Sequence, residues 1–381
     1  MFLAWREILF ARTRFLLMGV VLALMSILIV LISGLTAGLV NDGVSGLKAL
    51  DAEAIAFEKN TEISSAFTRS TVDVAEADEL VTADGVTSAA PLGLTIVNGR
   101  NQDDVPVDLT LFGVEPGSFI APRGLPELNS ARPEGRPTDT EPGVILSGTL
   151  ADSGMAVGDT ITLEQLGTEL TVLGFTDDQR TFGHVDIAYT PLDVWQEIQA
   201  GARPAEAAPA EAYRQASVIV AHTDGTDVDE LDGASGLDMV TLEESFQASP
   251  GYGPETMTLS MIEWFLYIIT ALVTGAFFLV WTIQRAGDIA VMRAIGATRG
   301  FLLRDSLGQA VVILLVSIAV GVGLAVGLGL WLEGTAMPYS TEAGPIFGGA
   351  AMLFIAGLLG ALIAIYRVTR TNPLTALGEN R

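Results

Sequence analysis

The chain has 381 residues, a formal net charge of -25 and no cysteine, yet half of its residues are hydrophobic. Apolar and acidic material must therefore be segregated along it. The acidic balance argues against a nucleic-acid partner, and the missing thiols exclude a disulfide framework and a thiolate metal site.

Residues 40–259 hold 38 Asp or Glu against 10 Lys or Arg, whereas the pieces 1–14, 284–306 and 367–381 together hold 10 Lys or Arg against 4 acids. Short basic pieces stay on the cytoplasmic side and long domains cross largely regardless of charge, so both termini are expected inside and the acidic segment outside.

In residues 1–14, Arg6, Arg12 and Arg14 surround Phe2, Leu3, Trp5, Ile8, Leu9 and Phe10, the pattern of an interfacial amphipathic helix on the inner leaflet. Residues 15–40 run for 26 positions without a charge. That exceeds the ~20 residues a spanning helix needs and is too long for a cleaved signal peptide, so a signal-anchor is expected. Near its outer end Ser33, Gly34 and Gly38 form a small-xxx-small pattern, suited to self-association or to packing within the chain.

Residues 41–259 read as one large extracytoplasmic domain. Strands are expected at 54–57, 94–97, 105–112, 143–148, 170–175 and 216–221, from their apolar, partly β-branched content. Residues 114–142 and 201–210 are rich in Pro, Gly, Ala and acids and read as loops. A helix is expected to open with Thr190 as its cap and Pro191 in its first position.

Three further spans are expected at 260–283, 307–332 and 347–366. Residues 284–306 form a cytoplasmic segment between them, 333–346 a short external loop with Pro338 and Pro345, and 367–381 a cytoplasmic tail. The fold class predicted is therefore a membrane protein with four transmembrane α-helices. A large mixed α/β domain is inserted between the first and second.

No G-x-x-x-x-G-K-(S/T) loop, G-x-S-x-G elbow or H-E-x-x-H pair is present. The chain is not expected to be an enzyme on its own, and any ATP-driven motor must be another polypeptide. His184 and His222 read as ordinary surface or strand residues, and no metal site is expected on the protein alone.

The segment 284–306 carries Arg285, Arg293, Arg299 and Arg304, with a short amphipathic helix that Gly296 would end. Its run from Asp288 to Arg299, DIAVMRAIGATR, resembles the cytoplasmic coupling segment of FtsX-like and MacB-like ABC transporter permeases, departing from the usual pattern at Asp288 and Ala290. The resemblance implies that Asp288, Met292, Arg293, Ala294, Gly296, Ala297, Thr298 and Arg299 dock on a separate cytoplasmic ABC ATPase, which holds the ATP and Mg. The order GVILSG, GMAVGDTITL and LTVLGF over 143–175 resembles the external core domain of MacB-like permeases, and Pro373 to Leu377 resembles the family tail. The opening MFLAWREI, the exit 35–42, residues 64–69 and the approach at 250–252 are similar to the haem-exporter subgroup, which overlaps a DevC-like subgroup. That likeness implies a permease homodimer in the plasma membrane, without an intrinsic cofactor, moving an amphipathic substrate from the membrane or its outer face.

Haem, as a transported ligand, is a flat apolar macrocycle whose iron wants an axial donor and whose propionates want cations or the interface. The stretch Tyr252, Glu255, Met257, Met261 and Glu263 offers oxygen and thioether donors beside the second span. Iron ligation is expected from Glu263, Met261 or Tyr252, and Glu263 stands out because an ionisable residue at membrane depth is rare and usually functional. Met25 and Asn41 from the first span, and Arg69 for a propionate, complete the candidate substrate site. Each has a plain alternative: the methionines as packing, Tyr252 as an interface anchor, Arg69 paired with an external acid. Three function classes follow. They are export of haem, or else of a lipid, glycolipid or peptide; FtsX-like signalling to an external cell-wall hydrolase; and extraction of lipoproteins.

Overall fold

The computed structural model describes residues 12–125, 142–204, 206–284, 287, 291, 295–296, 298–333, 335 and 337–370. The chain divides into two compact units, one of residues 1–39 and 256–381 and the other of residues 40–255.

The first unit is built on long helices. Four run Arg12–Lys48, Tyr252–Gln284, Arg299–Glu333 and Ala343–Arg370, and each contains a stretch long and apolar enough to cross a membrane. The first is interrupted at Val44, whose φ of -143° and ψ of 15° are not helical. Phe15, Leu22, Ile29, Phe278, Leu314, Leu353 and Ile365 meet in the centre of this unit. Leu16, Leu17, Leu24, Leu272 and Ile363 face outward, as apolar side chains do where the solvent is lipid.

Close packing in such a bundle depends on small residues, because lipid tails provide no hydrophobic drive between helices. At Gly360 of the fourth helix a Cβ would fall 2.0 Å from the Ala271 carbonyl oxygen of the second, so the two backbones touch. The third helix is capped by Thr298, whose Oγ1 accepts from the Phe301 amide at 3.3 Å. Just before it, Gly296 has φ +106°, the left-handed conformation expected of a helix-ending glycine. Asp288, Met292, Arg293, Ala294 and Ala297 of the coupling segment lie outside the described residues, as do residues 1–11 and 371–381.

The second unit is mixed α/β. Its strands are β1 (Ala54–Phe57), β2 (Val72–Asp73), β3 (Val86–Arg100), β4 (Pro106–Val114), β5 (Gly143–Leu146), β6 (Thr160–Leu163), β7 (Glu169–Phe175), β8 (Thr181–Phe182), β9 (Val185–Pro191), β10 (Gln215–Ala216), β11 (Val218–Thr223) and β12 (Asp238–Thr241). The main sheet runs β12-β1-β11-β3-β4-β9-β5-β7-β6, with β8 on β9 and a separate β10-β2 pair. Only β4–β9 and β5–β7 are parallel among these pairings.

The organising strand is β3, 15 residues long. Its first half pairs with β11 from Val86 to Leu92, and its second half with β4 from Leu92 to Arg100. Gly99 and Arg100 also pair with β6, which closes β3, β4, β9, β5, β7 and β6 into a ring. Alternation along β4 sends Leu109 and Leu111 into one apolar cluster and Phe112 and Val114 into another.

The structure corrects one helix start. Thr190 and Pro191 still belong to β9, where they pair with Gly113 and Val114, so the helix begins only at Leu192 with Pro191 as its cap residue and no side-chain cap bond. The parallel ladder holds them extended, which outweighs the local Thr-Pro signal.

The Gly360 contact gives a direct test. Gly360→Ala should push the second and fourth helices apart and lower the thermal midpoint of the purified protein, by an amount worth about 1–3 kcal/mol for overpacking. At Gly323 a Cβ would meet nothing within 4 Å. Gly323→Ala should therefore leave the midpoint unchanged or slightly raised.

Candidate substrate site and the proteins it resembles

Glu263 lies on the second long helix, among residues whose neighbours are apolar. Its Oε1 accepts a hydrogen bond from Ser33 Oγ of the first long helix at 3.1 Å. Ser33 is itself buried, and at Gly349 of the fourth helix a Cβ would come 2.9 Å from its hydroxyl. Glycine at that crossing leaves the hydroxyl room to reach the carboxylate.

Beside Ser33 on the first helix, the small residues are covered by the segment between the third and fourth helices. The Tyr339 ring lies against Gly34 and Gly329, the Pro338 carbonyl lies against Gly38, and the Ser340 amide donates to the Gly34 carbonyl at 3.1 Å. The Ser33, Gly34 and Gly38 pattern is thus used for packing within the chain.

Met257 and Met261 sit on the same helix as Glu263 but on another face, with 74% and 52% of their surface exposed. Four residues apart, they share a side; Glu263 is two residues past Met261, roughly 200° around the helix. Met25 is partly buried on the first helix.

The other expected site residues belong to the second unit. Tyr252 packs its ring on Phe246, 6.1 Å between centroids, beside the apolar core. Asn41 is partly buried. Arg69 is exposed and 3.9 Å from Glu62, a surface pair of little energetic weight.

Glu255 is held by a residue that the sequence did not single out. His184 Nε2 is 3.1 Å from Glu255 Oε2, and its Nδ1 is 2.8 Å from Asp42 Oδ2. Burial works against the charged ring, but the Asp42 hydrogen bond and the two carboxylate charges outweigh it and raise its pKa above the ordinary histidine value. With the partners 142 and 71 positions apart in sequence, no local pattern announces this cluster. His222 instead bonds Glu53 at 3.0 Å, and the Thr223 amide with the His222 ring holds the Glu53 carboxyl below its usual range. Among the described residues no group of three His, Cys, Asp or Glu side chains is placed to hold a metal ion.

Four apolar helices with a mixed α/β domain inserted after the first define a class of membrane transport protein. The MacB-like periplasmic core domain family matches residues 15–234, and the FtsX-like permease C-terminal family matches residues 260–373. The chain belongs to the FtsX-like and MacB-like permeases of ABC transporters.

Among its relatives is the hemin transport system permease protein HrtB of Staphylococcus haemolyticus, 24% identical over 379 residues that make up 99% of each chain. The protein of the same name from Staphylococcus epidermidis is 23% identical over 376 residues, again 99% of each. Similar solved structures include the extracellular domain of the noncanonic ABC-type transporter YknZ from Gram-positive bacteria, with 14% identity and a TM-score of 0.30 over 50% of this chain and 98% of that one. The periplasmic region of MacB from Actinobacillus actinomycetemcomitans gives 15% and 0.32 over 52% and 92%. A permease of this type implies an ATPase partner, and the chain is a multi-pass membrane protein with an extracytoplasmic domain.

Removing the donor tests the Glu263 contact. Ser33→Ala should lower the thermal midpoint by the equivalent of about 0.5–1.5 kcal/mol, the net worth of one hydrogen bond. In Glu263→Leu the same second substitution should have almost no further effect.

Proposed function

We propose that this chain is the permease subunit of an ABC efflux pump that expels an amphipathic molecule, haem before others, from the outer leaflet. The observation that carries the reading is the second long helix, which bears a carboxyl group, Glu263, joined to Ser33 on one face, and the outward-facing Met257 and Met261 on another. Thioethers are donors haem iron accepts, and a carboxyl group at membrane depth is usually functional, so this helix suits an iron-bearing macrocycle better than a plain lipid. Full-length similarity to permeases named for hemin transport supports the same choice.

In this reading two copies of the chain pair, and the exposed methionine face of the second helix lies at a lateral site open to the membrane. Both termini and residues 284–306 face the cytoplasm. The segment around Gly296 and Thr298 receives the ATPase stroke and passes it to the second and third helices. No phosphate-binding loop is present in the sequence, so hydrolysis is assigned to the partner.

A visible absorption titration of the detergent-purified protein with haemin tests the assignment. Wild type should show a saturable Soret shift, and Glu263→Ala and Met261→Ala should each weaken it by about tenfold, the ~1.4 kcal/mol of one lost contact. An unsaturable spectrum identical in all three proteins would overturn the haem reading and favour a lipid or peptide substrate.

A further inference from the structure

The Asp42, His184 and Glu255 cluster lies wholly in the second unit, and it joins the two chain segments by which that unit connects to the rest of the protein. Asp42 sits near the end of the first long helix, two residues before its break at Val44, and Glu255 lies in the first turn of the second long helix. His184 is carried between them on the two-residue turn of the β8–β9 hairpin. Gly183 and His184 have φ of +57° and +65°, the paired positive values of a tight hairpin turn. Of the non-glycine residues, Asn, Asp and His enter this region most readily, so the turn accepts His184 and gives the ring a well-defined support.

The two carboxylates of this cluster are not equally secured. The end of the first helix has other ties to the same hairpin: Gly183 donates its amide to the Gly43 carbonyl at 2.9 Å, and the Thr181 amide donates to Ser45 Oγ at 2.8 Å. Ser249 Oγ, in the segment leading into the second long helix, also donates to the Gly43 carbonyl at 2.9 Å. Asp42 also accepts from Gln179 Nε2 at 2.8 Å. Glu255, by contrast, has its side-chain hydrogen bond to His184 Nε2. The groups facing the ring are Asp42 from the first helix and Glu255 from the second. On the hairpin itself Arg180 points to Asp178, and Asp186 accepts from Thr149 Oγ1. The 246–250 segment contributes Pro250 against Gly183.

We propose that His184 is a proton-operated latch: the doubly protonated ring ties Glu255, in the first turn of the second long helix, to Asp42, and the neutral ring releases the Glu255 side chain. The chemistry follows from the donor count. An imidazolium has two N–H groups and can donate to both carboxylates, whereas the neutral ring has one N–H and presents a lone pair to the other carboxylate. The shorter bond to Asp42, with the turn that aims Nδ1 at it, keeps that donor in place, so Glu255 loses its partner. The raised pKa of the ring fixes the sign. The tie is complete at and below the ordinary histidine value, about 6.5, and is lost as pH rises through the higher folded value. The latch does not depend on what the protein transports, so failure of the haemin titration would leave it standing.

The chain has two histidines, which makes the test specific. The full-length protein in detergent, labelled at its imidazoles, is titrated by NMR, with His222→Gln assigning the signals. His184 should titrate above the ordinary value, and both Asp42→Asn and Glu255→Gln should lower its midpoint. Amide exchange of residues 250–256, corrected for intrinsic rates, should rise several-fold as pH passes through that midpoint. In His184→Asn, which keeps the hairpin turn, exchange should be fast at every pH. A His184 midpoint at or below the ordinary value would overturn the latch, as would equal exchange of the segment in wild type and His184→Asn at low pH.

Discussion

A carboxyl group inside an apolar helix is unstable unless something donates to it, and the hydrogen bond from Ser33 to Glu263 meets that demand. Close packing by small residues surrounds this bond on the first helix. Gly349 leaves the space beside the Ser33 hydroxyl, Gly34 and Gly38 let the external loop lie on the same helix, and the Tyr339 ring fills the notch beyond. A larger residue at Gly349 would crowd the Ser33 hydroxyl that holds the carboxyl. The bond thus links helix packing to the chemistry expected of a transport site.

The second unit follows a different logic, because it lies in water and has no disulfides to staple it. Its stability comes from the long strand β3, which pairs with β11 along its first half and with β4 along its second, and from the closure of six strands into a ring by the β3–β6 pairing. Apolar clusters on the two sides of β4 then bury Phe112, Phe182 and Tyr189 on one side and Leu111, Val172 and Trp195 on the other.

The broad architecture was legible because it rests on local signals: uncharged runs, short basic pieces, and apolar β-branched stretches. The permease family was legible for a similar reason, since its coupling motif is contiguous. What escaped was set by tertiary contact. The Thr190-Pro191 pair looks like a helix start until a parallel neighbour holds it extended. His184 looks solitary until a hairpin turn places it between residues far away in sequence. The donors from Tyr252 to Glu263 looked like one cluster, although helical geometry alone puts Met261 and Glu263 roughly 200° apart. That separation could have been read from the spacing, whereas the Ser33 partner could not.

The central claim is that Glu263 is where the substrate meets the protein. Infrared difference spectroscopy of the protein in lipid bilayers, with and without haemin, addresses it most directly. The carboxyl band is assigned by its loss in Glu263→Gln. The account predicts that saturating haemin shifts this band and leaves the other carboxyl bands in place. A Glu263 band unmoved by haemin that is demonstrably bound would contradict it.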